Sequence, residues 1–143
     1  MFIKQVSVFV ENKAGTMADV LELLGKNGID LSALSIADTT DFGILRLIVS
    51  DPFNAEKILK ENGMIVKLTD VIAVGIEDKP GSLSKILNTL KENGIELDYM
   101  YAFIGKTTHG AIVIMKTPDA EKTTEILNLH NITTVDASEI YGI

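Results

Sequence analysis

The chain has 143 residues, 46% hydrophobic and 23% charged, with 3 prolines and a formal net charge of −7, the balance of a compact globular protein without low-complexity stretches. Its only arginine is Arg46, so it lacks the cationic footprint that neutralises phosphates along a nucleic acid, and its acidity disfavours an anionic membrane surface. No apolar run approaches the roughly 20 residues needed to span a bilayer, and 0 cysteines exclude disulfides, thiolate metal sites and cysteine nucleophiles.

The first residues, Met1 to Val6, run straight into strand-like alternation with no basic segment, long apolar core or cleavage site of a secretory signal, which predicts a cytoplasmic protein. Val6, Val8 and Val10 share one face of that strand, which stops at Asn12-Lys13-Ala14-Gly15. Met17, Val20, Leu21 and Leu24 then recur at helical spacing as one buried stripe. Thr16 stands where a hydroxyl is expected to cap the first turn, and Gly28 where a helix ends in a left-handed residue. Two strand-like runs follow, about Leu31 to Asp38 and Phe42 to Ser50, then a helix with Ala55, Ile58 and Leu59 on its buried side before Gly63, and a last strand near Met64 to Leu68.

The pattern then starts again. Val6 to Leu31 aligns without a gap on Ile72 to Leu97, and 10 of the 26 positions are identical, where chance would give about one or two. Among them are Glu11/Glu77, Lys13/Lys79, Gly15/Gly81, Asn27/Asn93 and Gly28/Gly94. The second loop is Asp78-Lys79-Pro80-Gly81, its cap candidate is Ser82, and its stripe is Leu83, Ile86, Leu87 and Leu90. Strands are expected at Leu97 to Ile104 and Gly110 to Thr117, a helix at Asp119 to Leu129 after Pro118, and a last strand from Ile132 to Ile140. The expected fold is therefore α+β, two tandem ferredoxin-like βαββαβ units at 1–69 and 70–143, each an antiparallel four-stranded sheet with both helices on one face. Ile44 to Val49 and Ala111 to Met115 carry apolar residues at successive positions, so the helix-free faces also call for burial, against another sheet, edge or protomer.

That plan serves many functions, but missing residue types narrow them. A metal chaperone of this shape needs a Cys-x-x-Cys loop, and there is no cysteine. An RNA-recognition domain needs its aromatic pattern on a basic sheet, and Phe9, Tyr99, Tyr101 and Phe103 lie outside that pattern in an acidic chain. An acylphosphatase-like enzyme would want arginine in its first loop, where Lys13 and Lys79 stand. The two histidines, His109 and His130, have no nucleophile and acid in a recognisable arrangement and read as surface residues, so no catalytic residue and no cofactor is called for.

What remains resembles the ACT domain family, twice. The characteristic strand, Asn/Asp-Lys/Arg-Pro-Gly loop, helix and Gly-Ile/Val-Asn/Asp-Ile/Leu segment is matched by Asp78-Lys79-Pro80-Gly81-Ser82-Leu83 with Gly94-Ile95-Glu96-Leu97, and by Asn12-Lys13-Ala14-Gly15-Thr16-Met17 with Gly28-Ile29-Asp30-Leu31. The resemblance implies a regulatory domain that binds a free amino acid where ACT domains meet, the loop after the first strand of one facing the second strand of its neighbour. The backbone amides at Gly15, Thr16 and Met17, or Gly81, Ser82 and Leu83, suit an α-carboxylate. Asn12 and Asp30, or Asp78 and Glu96, then stand where the family holds the α-amino group. Ala14, Leu31, Pro80 and Leu97 complete the implied ligand-binding set. Residue by residue, the same positions serve equally well for turning the chain, capping a helix or solvating a loop.

Ala14 departs from the usual proline, and Asp78 and Glu96 from the usual amides, so the two loops differ in ligand or only one binds. A metal ion at the carboxylates would need more oxygen ligands than this spacing offers. The expected partners are thus a free amino acid, a second copy of the chain in a homo-oligomer, most simply a dimer, and an amino acid biosynthetic enzyme. The competing reading is an interaction module that binds no ligand and docks on such an enzyme or regulator through its sheet faces.

Overall fold

The computed structural model describes residues 2–11, 15–38, 41–102 and 110–141. In chain order the elements are β1 (Ile3–Glu11), α1 (Thr16–Lys26), β2 (Leu31–Asp38), β3 (Phe42–Val49), α2 (Pro52–Glu61), β4 (Ile65–Ile76), α3 (Ser82–Glu92), β5 (Tyr99–Ala102), β6 (Ala111–Lys116), α4 (Ala120–Leu129), β7 (Thr134–Val135) and α5 (Ala137–Tyr141). They form two compact units, Lys4–Thr69 and Asp70–Tyr141, the second including Phe2 and Ile3.

In the first unit the strand order is β2-β3-β1-β4, with β1 and β2 both antiparallel to β3. Alternation on β1 turns Val6, Val8 and Val10 toward the helices, where they meet Leu45 and Leu47 of β3, Val20 and Leu24 of α1, and Ala55 and Leu59 of α2. The second unit repeats the order as β7-β4-β6-β5. Its core joins Ile72, Val74 and Ile76 of β4 to Val113 and Met115, with Ile86 and Leu90 of α3 and Leu127 of α4. Both are the ferredoxin-like plan. The successive apolar positions of β6 are buried on both faces, Ile112 and Ile114 as fully as Val113 and Met115. On the helix-free face of the first unit Ile48 is buried, whereas Phe9 and Phe42 stay half exposed, at 50% and 54%.

Four helices close on one device. The amides of Ile29, Met64, Ile95 and Ile132 reach back to the carbonyls of Leu24, Leu59, Leu90 and Leu127 at 2.9–3.0 Å, the Schellman pattern with its apolar residue packed under the last turn. The left-handed residue is glycine three times and Asn131, at φ 58, the fourth. At their starts, α2 and α4 use the Asp51 and Asp119 carboxylates, which accept from the amides of Asn54 (3.2 Å) and Lys122 (3.1 Å). Asp119→Ala should cost about 1 kcal/mol in urea unfolding and Asp119→Asn much less, since the amide oxygen still caps.

Three expectations are corrected. Copy one's last strand and copy two's first strand are one unbroken strand, β4, because Thr69-Asp70-Val71 contains no glycine, proline or asparagine to turn the chain and two of its residues are β-branched. The final strand is only Thr134–Val135, and Ala137–Tyr141 is helical. Asp136 causes this: its carboxylate accepts from the Ser138 hydroxyl (2.6 Å) and amide (3.2 Å), which starts the turn and holds its pKa down to about 2. Finally, Thr16 and Ser82 do not cap their helices. They are the first helical residues, one position too late for the role, and Gly15 and Gly81 occupy the cap positions with no side chain accepting from the first-turn amides.

Candidate functional site

The loop from β4 into α3 turns at Gly81, whose φ of 85° lies in the left-handed region where a Cβ is disfavoured. A Cβ built there would meet nothing within 4 Å, so the space in front of the turn is open. Gly15 has the same conformation, φ 90°, and the same open space. These two turns leave the amides that begin α1 and α3 uncapped by side chains, and a helix start presents partial positive charge.

Beside Gly81 lies a cavity of about 500 Å³, walled by the loop, by one face of α3 and by the turn after α4. Pro80, Gly81 and Ser82 line it from the loop, Lys85 and Thr89 follow one and two turns along the helix, and His130 lines it from the end of α4. The Ser82 hydroxyl oxygen is buried and has no hydrogen-bond partner among the described residues, a state that costs free energy unless something polar fills the space. Glu77 and Lys79 at the rim pair at 2.7 Å, both largely exposed. Their hydrogen bond lowers the Glu77 pKa and raises that of Lys79. Asn93 is held by its Nδ2 donating to the Thr89 carbonyl at 2.8 Å, and the same nitrogen lies 3.4 Å from His130 Nε2.

Of the positions singled out from sequence, Pro80, Gly81 and Ser82 line this cavity; Asp78, Leu83, Glu96 and Leu97 do not. Asp78 and Glu96 are exposed, while Leu83 and Leu97 pack on the second core. In the first unit Met17 and Leu31 pack on the core, Thr16 is partly buried, and Asp30 turns its carboxylate to the Leu31 amide at 3.0 Å. Asn12 and Ala14 lie outside the described residues, as does His109. Sequence reasoning missed Lys85, Thr89 and the cavity wall at His130. The first two were within reach, since residues 82, 85 and 89 follow one helical face; His130 arrives from the other end of the unit and left no local signal.

The sequence profile described as an ACT domain pair matches residues 1–143. The chain belongs to that family. Among similar proteins, this ACT domain pair is 29% identical over 107 residues to the acetolactate synthase small subunit of Buchnera aphidicola subsp. Baizongia pistaciae (strain Bp), a match covering 70% of this chain and 67% of that one. A crystallised protein of Bacteroides thetaiotaomicron is 40% identical, with 100% of this chain and 98% of the other superposed at a TM-score of 0.92. The regulatory subunit of aspartate kinase from Thermus thermophilus, crystallised ligand-free, shares the fold at a TM-score of 0.63 with 17% identity, over 90% of each chain. Among the described residues no helix is long and apolar enough to cross a membrane.

Proposed function

We propose that this ACT domain pair is a regulatory protein that binds a free amino acid in the Gly81 cavity and acts on an enzyme of amino acid biosynthesis. The observation that carries the reading is the cavity itself. An amide-rich left-handed turn, a buried hydroxyl without a partner and about 500 Å³ of open volume converge at one place, within the size range of small-molecule sites. The α-carboxylate would sit on the first-turn amides of α3, where the helix end favours an anion. The Ser82 hydroxyl would complete its hydrogen bonding on the same group. The similarity to subunits of acetolactate synthase and aspartate kinase supports an enzyme of that class as the partner. Binding regulates only through unequal affinity for two states of the assembly.

Isothermal titration of the full chain against each proteinogenic amino acid tests this: saturable heat is expected with at least one at millimolar concentration or below. Heat with none at that concentration would end the sensing reading. The reading then left is docking without a ligand, which one observation favours, the half-exposed Phe9 and Phe42 together on the helix-free face of the first unit.

A further inference from the structure

Each unit has a cleft between its first helix and the end of its second, and the described residues of the two helix walls differ in charge. In the second unit Lys85, Thr89, His130 and Ile132 line it. In the first unit the corresponding positions, Asp19, Leu23, Asn62 and Met64, line a smaller cleft of about 250 Å³. The correspondence is fixed by the repeat for the first pair of each set, and by Asn62 and His130 being the cap residues that end α2 and α4.

Each cleft also holds one ion pair that cancels itself, Lys26 with Glu22 at 3.1 Å in the first unit and Lys79 with Glu77 at 2.7 Å in the second. Among the described residues, subtracting these leaves the Asp19 carboxylate in one cleft and the Lys85 ammonium in the other. Among the described residues Lys85 makes no ion pair. Its field reaches Glu77 across the loop, where it adds to the lowering of that carboxyl's pKa. The wall is polar in the second cleft, Thr89 and His130, where the first has Leu23 and Asn62. A chain of net charge −7 thus sets an exposed lysine without an ion pair among the described residues, a threonine and an exposed histidine around the larger of the two clefts.

We infer that the ligand of the Gly81 cavity is a dicarboxylic amino acid, with its side-chain carboxylate on Lys85 and His130 and its α-carboxylate on the first-turn amides of α3. This rests on the proposed function and narrows it. Lys85 lies three residues beyond the Ser82 amide, about 4.5 Å along the axis, and its flexible stem is long enough for the ammonium to meet the second carboxylate of aspartate or glutamate. Lys85 and His130 are exposed, so the preference rests on a charge-assisted hydrogen bond that a neutral side chain cannot make with the ammonium.

The test is titration of the full chain with aspartate and glutamate, with asparagine and glutamine as neutral isosteres, and with inorganic phosphate. The better acidic ligand should bind about tenfold more tightly than its amide, the worth of one charge-assisted hydrogen bond. Lys85→Met should remove that preference, so that acid and amide bind alike, while Lys91→Met, at the exposed end of the same helix, should leave the preference as it was. Equal or tighter binding of the amide, or a preference that survives Lys85→Met, overturns the inference and leaves the sensing function standing. Phosphate binding as tightly as the amino acid and with the same dependence on Lys85 overturns it too, because the cavity is then a general anion site. Absence of binding by any amino acid removes the sensing function along with it.

Discussion

Gly81→Ala and Gly15→Ala should destabilise the protein equally, and only the first should abolish amino acid binding. Both glycines sit at φ near 90° with no atom within 4 Å of the added methyl. Neither substitution therefore clashes, and the cost is that of holding an L-residue in the left-handed region, about 1–2 kcal/mol. Urea unfolding measures that cost, which should agree between the two variants to within a few tenths of a kcal/mol. Binding separates them. Gly81 lines the cavity and Gly15 does not line it, so under the proposed function a methyl at Gly81 would crowd the approach of the ligand's carboxylate to the α3 amides, and affinity should fall by about a hundredfold or more, beyond any effect of stability. Gly15 has the same backbone geometry, but the cavity with the unpartnered hydroxyl belongs to Gly81. If Gly15→Ala removes binding and Gly81→Ala does not, the site has been placed in the wrong copy.

That comparison shows how far the amino-acid sequence reached. The repeat, the helix stripes and the glycine stops are local patterns, and they reproduce the architecture because each corresponds to one physical demand: a buried face, or a backbone angle only glycine adopts freely. What failed was finer. Serine and threonine after Gly81 and Gly15 look like caps, since hydroxyl residues before an apolar stripe usually are. The structure puts the glycine in the cap position instead. The correction matters for chemistry, because a capping serine would have spent its hydroxyl on a first-turn amide, whereas here the Ser82 hydroxyl is buried without a partner among the described residues and its amide donates to the Lys79 carbonyl at 3.3 Å. At Asp136 the error has the same origin reversed: Ile132 to Ile140 reads as a strand until an aspartate two residues before Ser138 caps a turn. The site's far wall was illegible for another reason. His130 and Lys85 are 45 residues apart, and only the pairing of β4 with β6 and β7, with α4 carried between them, brings the end of that helix to the loop.

Thr123→Ala alone should cost about 2–3 kcal/mol, whereas Thr117→Val with Thr123→Ala should recover most of the loss. The two hydroxyls meet at 2.8 Å, fully buried, and Thr123 also donates to the Asp119 carbonyl at 2.8 Å. A hydroxyl has one proton, so with Thr123 donating to the carbonyl, Thr117 must donate to Thr123. Removing Thr123 strands the Thr117 donor in a dry core, at about 1–3 kcal/mol, and opens a small void as well. The first unit has already made the double change. Counting from the capping aspartates Asp51 and Asp119, the positions of Thr117 and Thr123 are filled by Val49 and Ala55, both buried. An apolar pair of that kind satisfies the same backbone arrangement, since the amides of Ala55 and Thr123 bond the aspartate carbonyls at 3.0 and 3.1 Å. The coupling energy from a double-mutant cycle should be about 1–2 kcal/mol with the sign of mutual rescue. Additive losses would mean that the hydroxyl pair contributes by packing alone, and that the two copies reached different cores for reasons unrelated to hydrogen bonding.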